Sequence, residues 1–188
     1  MTIKRCSWCT DDPIYIKYHD HEWGKPNRDE RHLFEMLCLE GQQAGLSWIT
    51  ILKKRPAYQE HFFKHSIDHI AQLTDQHLEY KLQDAGIIRH IGKLKAIRDN
   101  AIAWQNMKTQ GINMVDWLWD FVDQHQKMND VPHYKQAPAQ TEISQNLSKT
   151  LKKNGFKFVG PTTMYAFMQA VGMVNDHEND CISRKYIA

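Results

Sequence analysis

The chain has 188 residues, with 24 Lys and Arg against 22 Asp and Glu for a formal charge of +2, beside 11 His, 4 Cys and 6 Trp. That length suits one compact unit with a real core, and a mean hydropathy of −0.64, with no run approaching the ~18 apolar residues of a spanning helix, excludes an integral membrane protein. A nearly neutral balance also speaks against nucleic-acid binding driven by bulk charge.

The first residues, Met1 to Cys6, carry no apolar segment of the secretory kind. A reducing cytoplasm is expected, where disulfides are disfavoured. Apolar residues then recur with helical spacing. From Leu33 to Leu52 they are so dense that a mostly buried segment is predicted, starting after Asp29 and breaking near Gly45-Leu46-Ser47. Further helices are predicted from Pro56 to His61, from Ser66 to Leu73, and from near His77 after a Thr74 or Asp75 cap. Ile91 to Lys108 and Asn113 to His125 follow, then a loop from Gln126 to Gln140 holding Pro132 and Pro138. Glu142 to Lys153 reads as a helix stopped by Gly155, and Pro161 opens a last helix closed by Gly172. No strand alternation or internal repeat is visible, so the expected fold is all-α.

Three constellations carry chemistry. Cys6, Cys9, His19, His21 and the pair His177-x3-Cys181 offer soft thiolate and imidazole ligands suited to Zn²⁺. By spacing, Cys6 and Cys9 with His177 and Cys181 form the more regular set; Cys6, His19, His177 and Cys181 form a rival. Either has four protein ligands, which predicts a closed structural site. The second constellation, Leu82 to Ile97, reads as helix, glycine turn at Gly86 and a second helix opening with basic residues. It describes either an ordinary helical hairpin or a helix-hairpin-helix element that offers backbone amides to a DNA phosphate. Arg89, Lys93, Lys95 and Arg98 on or beside it favour the DNA-binding form. The third places Glu40 inside an apolar helix, where an ionised carboxylate is costly and needs a purpose. Trp8, Tyr18, Trp23 and Trp48 can supply aromatic faces, and an acid among indoles suits a flat cationic ligand.

These pieces, in the order Cys6 with Trp8, Tyr18-His19-Asp20-x-Glu22-Trp23-Gly24, Leu39-Glu40-Gly41-Gln42-Gln43-Ala44-Gly45-Leu46-Ser47-Trp48, Asp84 to Arg89, Gly155 to Pro161 and Asn175-Asp176-His177, resemble the 3-methyladenine DNA glycosylase I family. The likeness runs from Cys6 to Cys181 and implies the helix-hairpin-helix DNA glycosylase fold. It implies a single catalytic unit over 1–188, with a central helical region at about 28–140 and terminal segments packed around a structural Zn²⁺. The zinc ligands it implies are Cys6, His19, His177 and Cys181, with Cys9 a departure. It casts Glu40 as the catalytic residue, a reader of the adenine edge and a balance to its charge and not a strong general base. Tyr18 joins it on the lesion base, Trp48 stacks on the base, and Trp8 and Trp23 shape the pocket. Gly45 and Leu46 would fill the vacated base stack, while Gly86, Ile88, Arg89 and Lys93 would meet DNA. The superfamily's catalytic Asp and lyase Lys have no counterpart in Trp104 to Lys108, so a monofunctional hydrolase leaving an abasic site is expected. The implied partner is duplex DNA bearing alkylated adenine, and the implied protein is a cytoplasmic bacterial monomer. A rival reading is a non-catalytic, zinc-stabilised helical module that binds DNA phosphates through Gly86 to Lys93.

Overall fold

A computed structural model describes residues 3–185. Among them nine α-helices dominate and the only sheet is a two-residue parallel pairing. The helices are α1 (Pro13–His21), α2 (Glu30–Gln42), α3 (Trp48–Tyr58), α4 (Ile67–Ala71), α5 (Asp75–Lys81), α6 (Ile91–Thr109), α7 (Met114–Asp120), α8 (Glu142–Lys153) and α9 (Pro161–Ala170). No helix among the described residues is long and apolar enough to cross a membrane.

Helix α2 is the axis of the core. Asp29 caps it by accepting from the His32 amide, and every residue from Leu33 to Gln42 is buried. It packs on α6 and α9, and Trp104 of α6 donates its indole N–H to Glu30 at 2.9 Å. The expected break at 45–47 is present, since α2 ends at Gln42 and α3 begins at Trp48.

Two local expectations need correction. Helix α1 was not anticipated, although Asp12-Pro13 is a cap followed by a first-turn proline, and Asp12 accepts from the Ile14 amide at 3.0 Å. Pro56 does not open a helix; it lies in the last turn of α3, which loosens into a π-helical turn at Gln59–Phe63. A proline in the last turn removes one hydrogen bond and its ring crowds the carbonyl four residues back, and burial of Tyr58, Phe62 and Phe63 carries the chain through.

The two ends of the described chain are laced together. β1 (Lys127–Met128) pairs in parallel with β2 (Val174–Asn175), and the Ile182 amide donates to Lys4 O at 2.9 Å. Glu178 is the main tie, its carboxylate accepting from the Ser7 amide at 3.0 Å and the Tyr134 amide at 2.9 Å. It therefore clamps the N-terminal segment, the proline-bearing loop and the C-terminal segment at one point.

Candidate active site and metal centre

Side chains from α1, the N-terminal segment and the C-terminal segment converge on one buried point. One ligand atom each from Cys6, His19, His177 and Cys181 lies within 4.8 Å of the others, and all four residues are buried. Cys6 Sγ is 3.4 Å from His177 Nδ1, Cys181 Sγ is 3.4 Å from His19 Nε2, and Cys181 Sγ is 3.6 Å from His177 Nδ1. A tetrahedral Zn²⁺, with bonds of about 2.3 Å to sulfur and about 2.0 Å to nitrogen, sets such donors about 3.6 Å apart. The donor set fits. Both imidazoles are also oriented through their far nitrogens, His19 by Asp20 at 2.8 Å and His177 by the Trp23 carbonyl at 3.1 Å. Asp20 is in turn gripped by Arg5 at 2.8 Å, which holds its carboxyl down to about 2. Hydrogen bonds from Cys6 and from both histidines pull the Cys181 thiol below the usual thiol range. Cys9 stands apart, half-buried with its thiol near Thr10 O at 3.7 Å, and burial raises it to about 11. Of the two sets left open by spacing, only the one containing His19 comes together.

Gly24 makes room for this centre. Its φ is 73°, and a Cβ there would stand 2.9 Å from His177 Nε2. Only glycine allows the turn after Trp23 to lie against that imidazole.

The aromatic wall of a cavity of about 300 Å³ is built directly on the histidines. The Trp23 ring lies 4.6 Å from that of His177 and 4.9 Å from Trp8, and Trp8 lies 5.2 Å from His19. Tyr18 and Trp48 face each other at 5.5 Å across another part of the wall. Thus Trp8, Tyr18, Trp23, Glu40 and Trp48, the five expected base-contacting residues, line one pocket. Its volume is at the small end of the roughly 300–1,000 Å³ seen for small-molecule sites.

Glu40 projects from the last turn of α2 into this cavity, and among the described residues no cation is paired with it. Burial pushes its carboxyl up to about 8, and burial, with a smaller contribution from Glu40, also raises the neighbouring Tyr18 and Tyr15 hydroxyls. Tyr15, Gln43, Tyr134, Gln169 and Asp176 also line the pocket and were not singled out from the sequence. Tyr15 sits one turn before Tyr18 on the unanticipated α1, and Gln43 lies inside the Glu40 block. Asp176 is buried and fully engaged, accepting from Tyr165 Oη at 2.7 Å, Gln169 at 2.8 Å and Asn129 at 2.6 Å.

The expected DNA-contacting residues divide. Gly45 and Leu46 sit on an exposed turn beyond α2, where Gly45 has a φ of 79° and Leu46 is 40% exposed. Arg89 is exposed and without an ion-pair partner among the described residues. Gly86 and Ile88, however, do not offer free amides: Gly86 donates to Asp84 at 2.6 Å and Ile88 to Tyr58 Oη at 3.2 Å. Lys93 is corrected more sharply. It is 6% exposed, and its ammonium donates inward to Gln42 O at 2.8 Å and Ala44 O at 2.7 Å. These are carbonyls left over at the end of α2, which a cation satisfies best. Lys95 and Arg98 are bound by Asp75 at 2.8 and 2.6 Å, so most of the hairpin's basicity is spent inside the protein. Lys93→Met should therefore cost about 2 kcal/mol of stability in denaturant unfolding, the worth of a charged hydrogen bond. The salt dependence of DNA binding should stay unchanged, and a shallower salt slope would show a phosphate contact instead.

Comparison with known proteins matches this architecture. The family model described as methyladenine glycosylase covers residues 8–185. A DNA-3-methyladenine glycosylase from Haemophilus influenzae is 52% identical over 177 residues, covering 94% of this chain and 96% of that protein. DNA-3-methyladenine glycosylase 1 of Escherichia coli is 50% identical over 179 residues, covering 95% and 96%. The structure of 3-methyladenine DNA glycosylase I from Staphylococcus aureus, which concerns its recognition of 3-methyladenine, superposes with a TM-score of 0.94 at 36% identity over all of both chains. With nearly its whole length so matched in sequence and in fold, the chain belongs to the methyladenine glycosylase family.

Proposed function

We infer that the protein is a DNA glycosylase that excises 3-methyladenine from duplex DNA by hydrolysing the N-glycosidic bond. The observation that carries this reading is Glu40, buried without a counter-ion at the end of a pocket walled by Trp8, Trp23, Tyr18 and Trp48. Adenine presents a donor at N6, and a carboxylate that sheds its proton to the incoming cation accepts from that amino group while balancing the charge of the base. Guanine, with two acceptors on that edge, leaves one lone pair facing another. Methylation at N3 makes the base cationic and weakens its bond to the sugar, so the pocket has little acid catalysis to supply. Its tasks are to hold the base between π-faces, to read its edge and to exclude an undamaged stack partner. Among the described residues no lysine lines the cavity, which supports hydrolysis without strand cleavage.

Cys6, His19, His177 and Cys181 would hold one structural Zn²⁺, with Cys9 outside the set. With four protein ligands it has no open position, and its contribution is to cross-link the chain ends beneath the aromatic wall. Leu46 on its exposed turn would enter the stack that the extruded nucleotide leaves, and Arg89 would meet phosphate. Four free thiols suit a reducing cytoplasm, and a pocket completed by one chain suits a monomer.

Incubating the purified protein with methylated duplex DNA and separating the freed bases by chromatography tests the reading. Free 3-methyladenine is expected, with intact strands until alkali is added. A protein that releases no methylated purine, while still binding DNA, would be the non-catalytic module instead.

A further inference from the structure

The segment Gly155 to Pro161 has no part in the pocket or the metal centre, yet it holds a strained aromatic residue at the surface. Phe158 has a φ of 55°, in the left-handed region that a bulky side chain rarely adopts, and it is 40% exposed, as Leu46 is. The strain is enforced from below. Buried Asn100 of α6 grips the preceding residue from both sides, accepting from the Lys157 amide at 2.7 Å and donating to its carbonyl at 3.2 Å. Gly41 of α2 completes the seat, since a Cβ there would stand 3.0 Å from Phe158 Cβ. Gly41 follows Glu40 directly and precedes Leu46 by five residues, so Phe158 is seated beside the helix end that carries Glu40 and leads into the Leu46 turn.

The charge around it is one-sided. From Ile143 to Asn175 the chain has four lysines and no Asp or Glu. Lys149, Lys152, Lys153 and Lys157 are exposed and have no ion-pair partner among the described residues, unlike Lys95 and Arg98 in the hairpin. An exposed aromatic ring among unpaired lysines is the chemistry of a nucleic-acid contact, the cations meeting phosphates and the ring meeting a base or sugar face. Held strain at an exposed position is also what a functional contact, and not packing, explains.

We propose that Phe158 is a second DNA-contacting residue, which packs against the lesion duplex beside the gap entered by Leu46 while Lys152, Lys153 and Lys157 engage its backbone. This rests on the glycosylase reading. Glycine and asparagine both tolerate a positive φ, so Phe158→Gly and Phe158→Asn remove the ring without demanding a new backbone. Binding to a duplex carrying a tetrahydrofuran abasic-site analogue, followed by fluorescence anisotropy, should weaken about tenfold in both variants, the loss of one aromatic stack. Phe158→Tyr should bind as the wild type does. The Tm should not fall in any of the three, and the quenching of tryptophan fluorescence by free 3-methyladenine should be unchanged. Wild-type affinity of Phe158→Gly for the duplex overturns the proposal, and so does a parallel loss of Tm or of base binding, which would make Phe158 a packing residue. If the wild type itself frees no 3-methyladenine from methylated DNA, the glycosylase reading has failed, and that result is separate from either outcome.

Discussion

Cys181→Ala and His19→Ala should each leave the purified protein with no bound zinc by elemental analysis, whereas Cys9→Ala should retain one ion per chain. Structural zinc contributes on the order of 10 kcal/mol where it organises a small fold. Here much of the chain has its own hydrophobic core, so the loss should be smaller and local. It should still be large, because Cys6, His19, His177 and Cys181 come from three segments that hold one another chiefly through this point and through Glu178. A loss of about 4 kcal/mol would lower Tm by roughly 10 °C in a chain of this size. The consequence should reach the pocket, since Trp23 and Trp8 lean on His177 and His19. Base binding should therefore weaken with metal removal by chelator, although no pocket residue is a ligand. Zinc retained by Cys181→Ala, or lost from Cys9→Ala, would reject this ligand set.

Glu40→Gln should lose activity and gain stability, and the gain should depend on pH. Removing a hydrogen-bonding acid that reads the base edge should slow release of 3-methyladenine about 10- to 100-fold, from a charged or strong hydrogen bond worth about 1.5–3 kcal/mol. The stability effect has the opposite direction. Glu40 is held up to about 8 in the folded chain by burial, against an ordinary value of 4.5 when unfolded. Between those values the folded state keeps a proton that the unfolded state has lost, so stability falls as pH rises and levels off above about 8. The full cost of ionising the buried group is about 3–5 kcal/mol. Glutamine cannot ionise. The variant should thus match the wild type in Tm near pH 5 and exceed it by roughly 10 °C at pH 9. Equal Tm values at pH 9 would mean that Glu40 is solvated or paired in the folded protein. A neutral Glu40 in the empty pocket also means that a cationic base should displace its proton, so lesion affinity should rise with pH up to about 8.

The helices of the core were legible because burial imposes a period. Leu33 to Leu39 could not face water, and Asp29 and Ser66 carry the side chains that caps require. Helix α1 was obscured because it is only nine residues long and its apolar Ile14-Tyr15-Ile16 run gives way to polar and histidine residues, and its Tyr and His side chains serve a pocket and a metal site. Tyr15 went unnoticed with it. The hairpin shows the reverse. Its basic composition was plain, yet composition does not say where an ammonium points, and unsatisfied carbonyls at the end of α2 took Lys93 inward.

Residue chemistry alone determined that the chain is helical, that its Cys and His suit zinc, and that an acid within an apolar helix among tryptophans suits a flat cationic ligand. Period, softness and desolvation are properties of residue types and short spacings. Spacing left two Cys/His sets open, and which of them comes together, which lysines stay unpaired, and how Phe158 is held at a positive φ were decided by tertiary structure. Each depends on contacts between residues far apart in the chain, as between Cys6 and His177 or Asn100 and Lys157. Local sequence carries no measure of those distances.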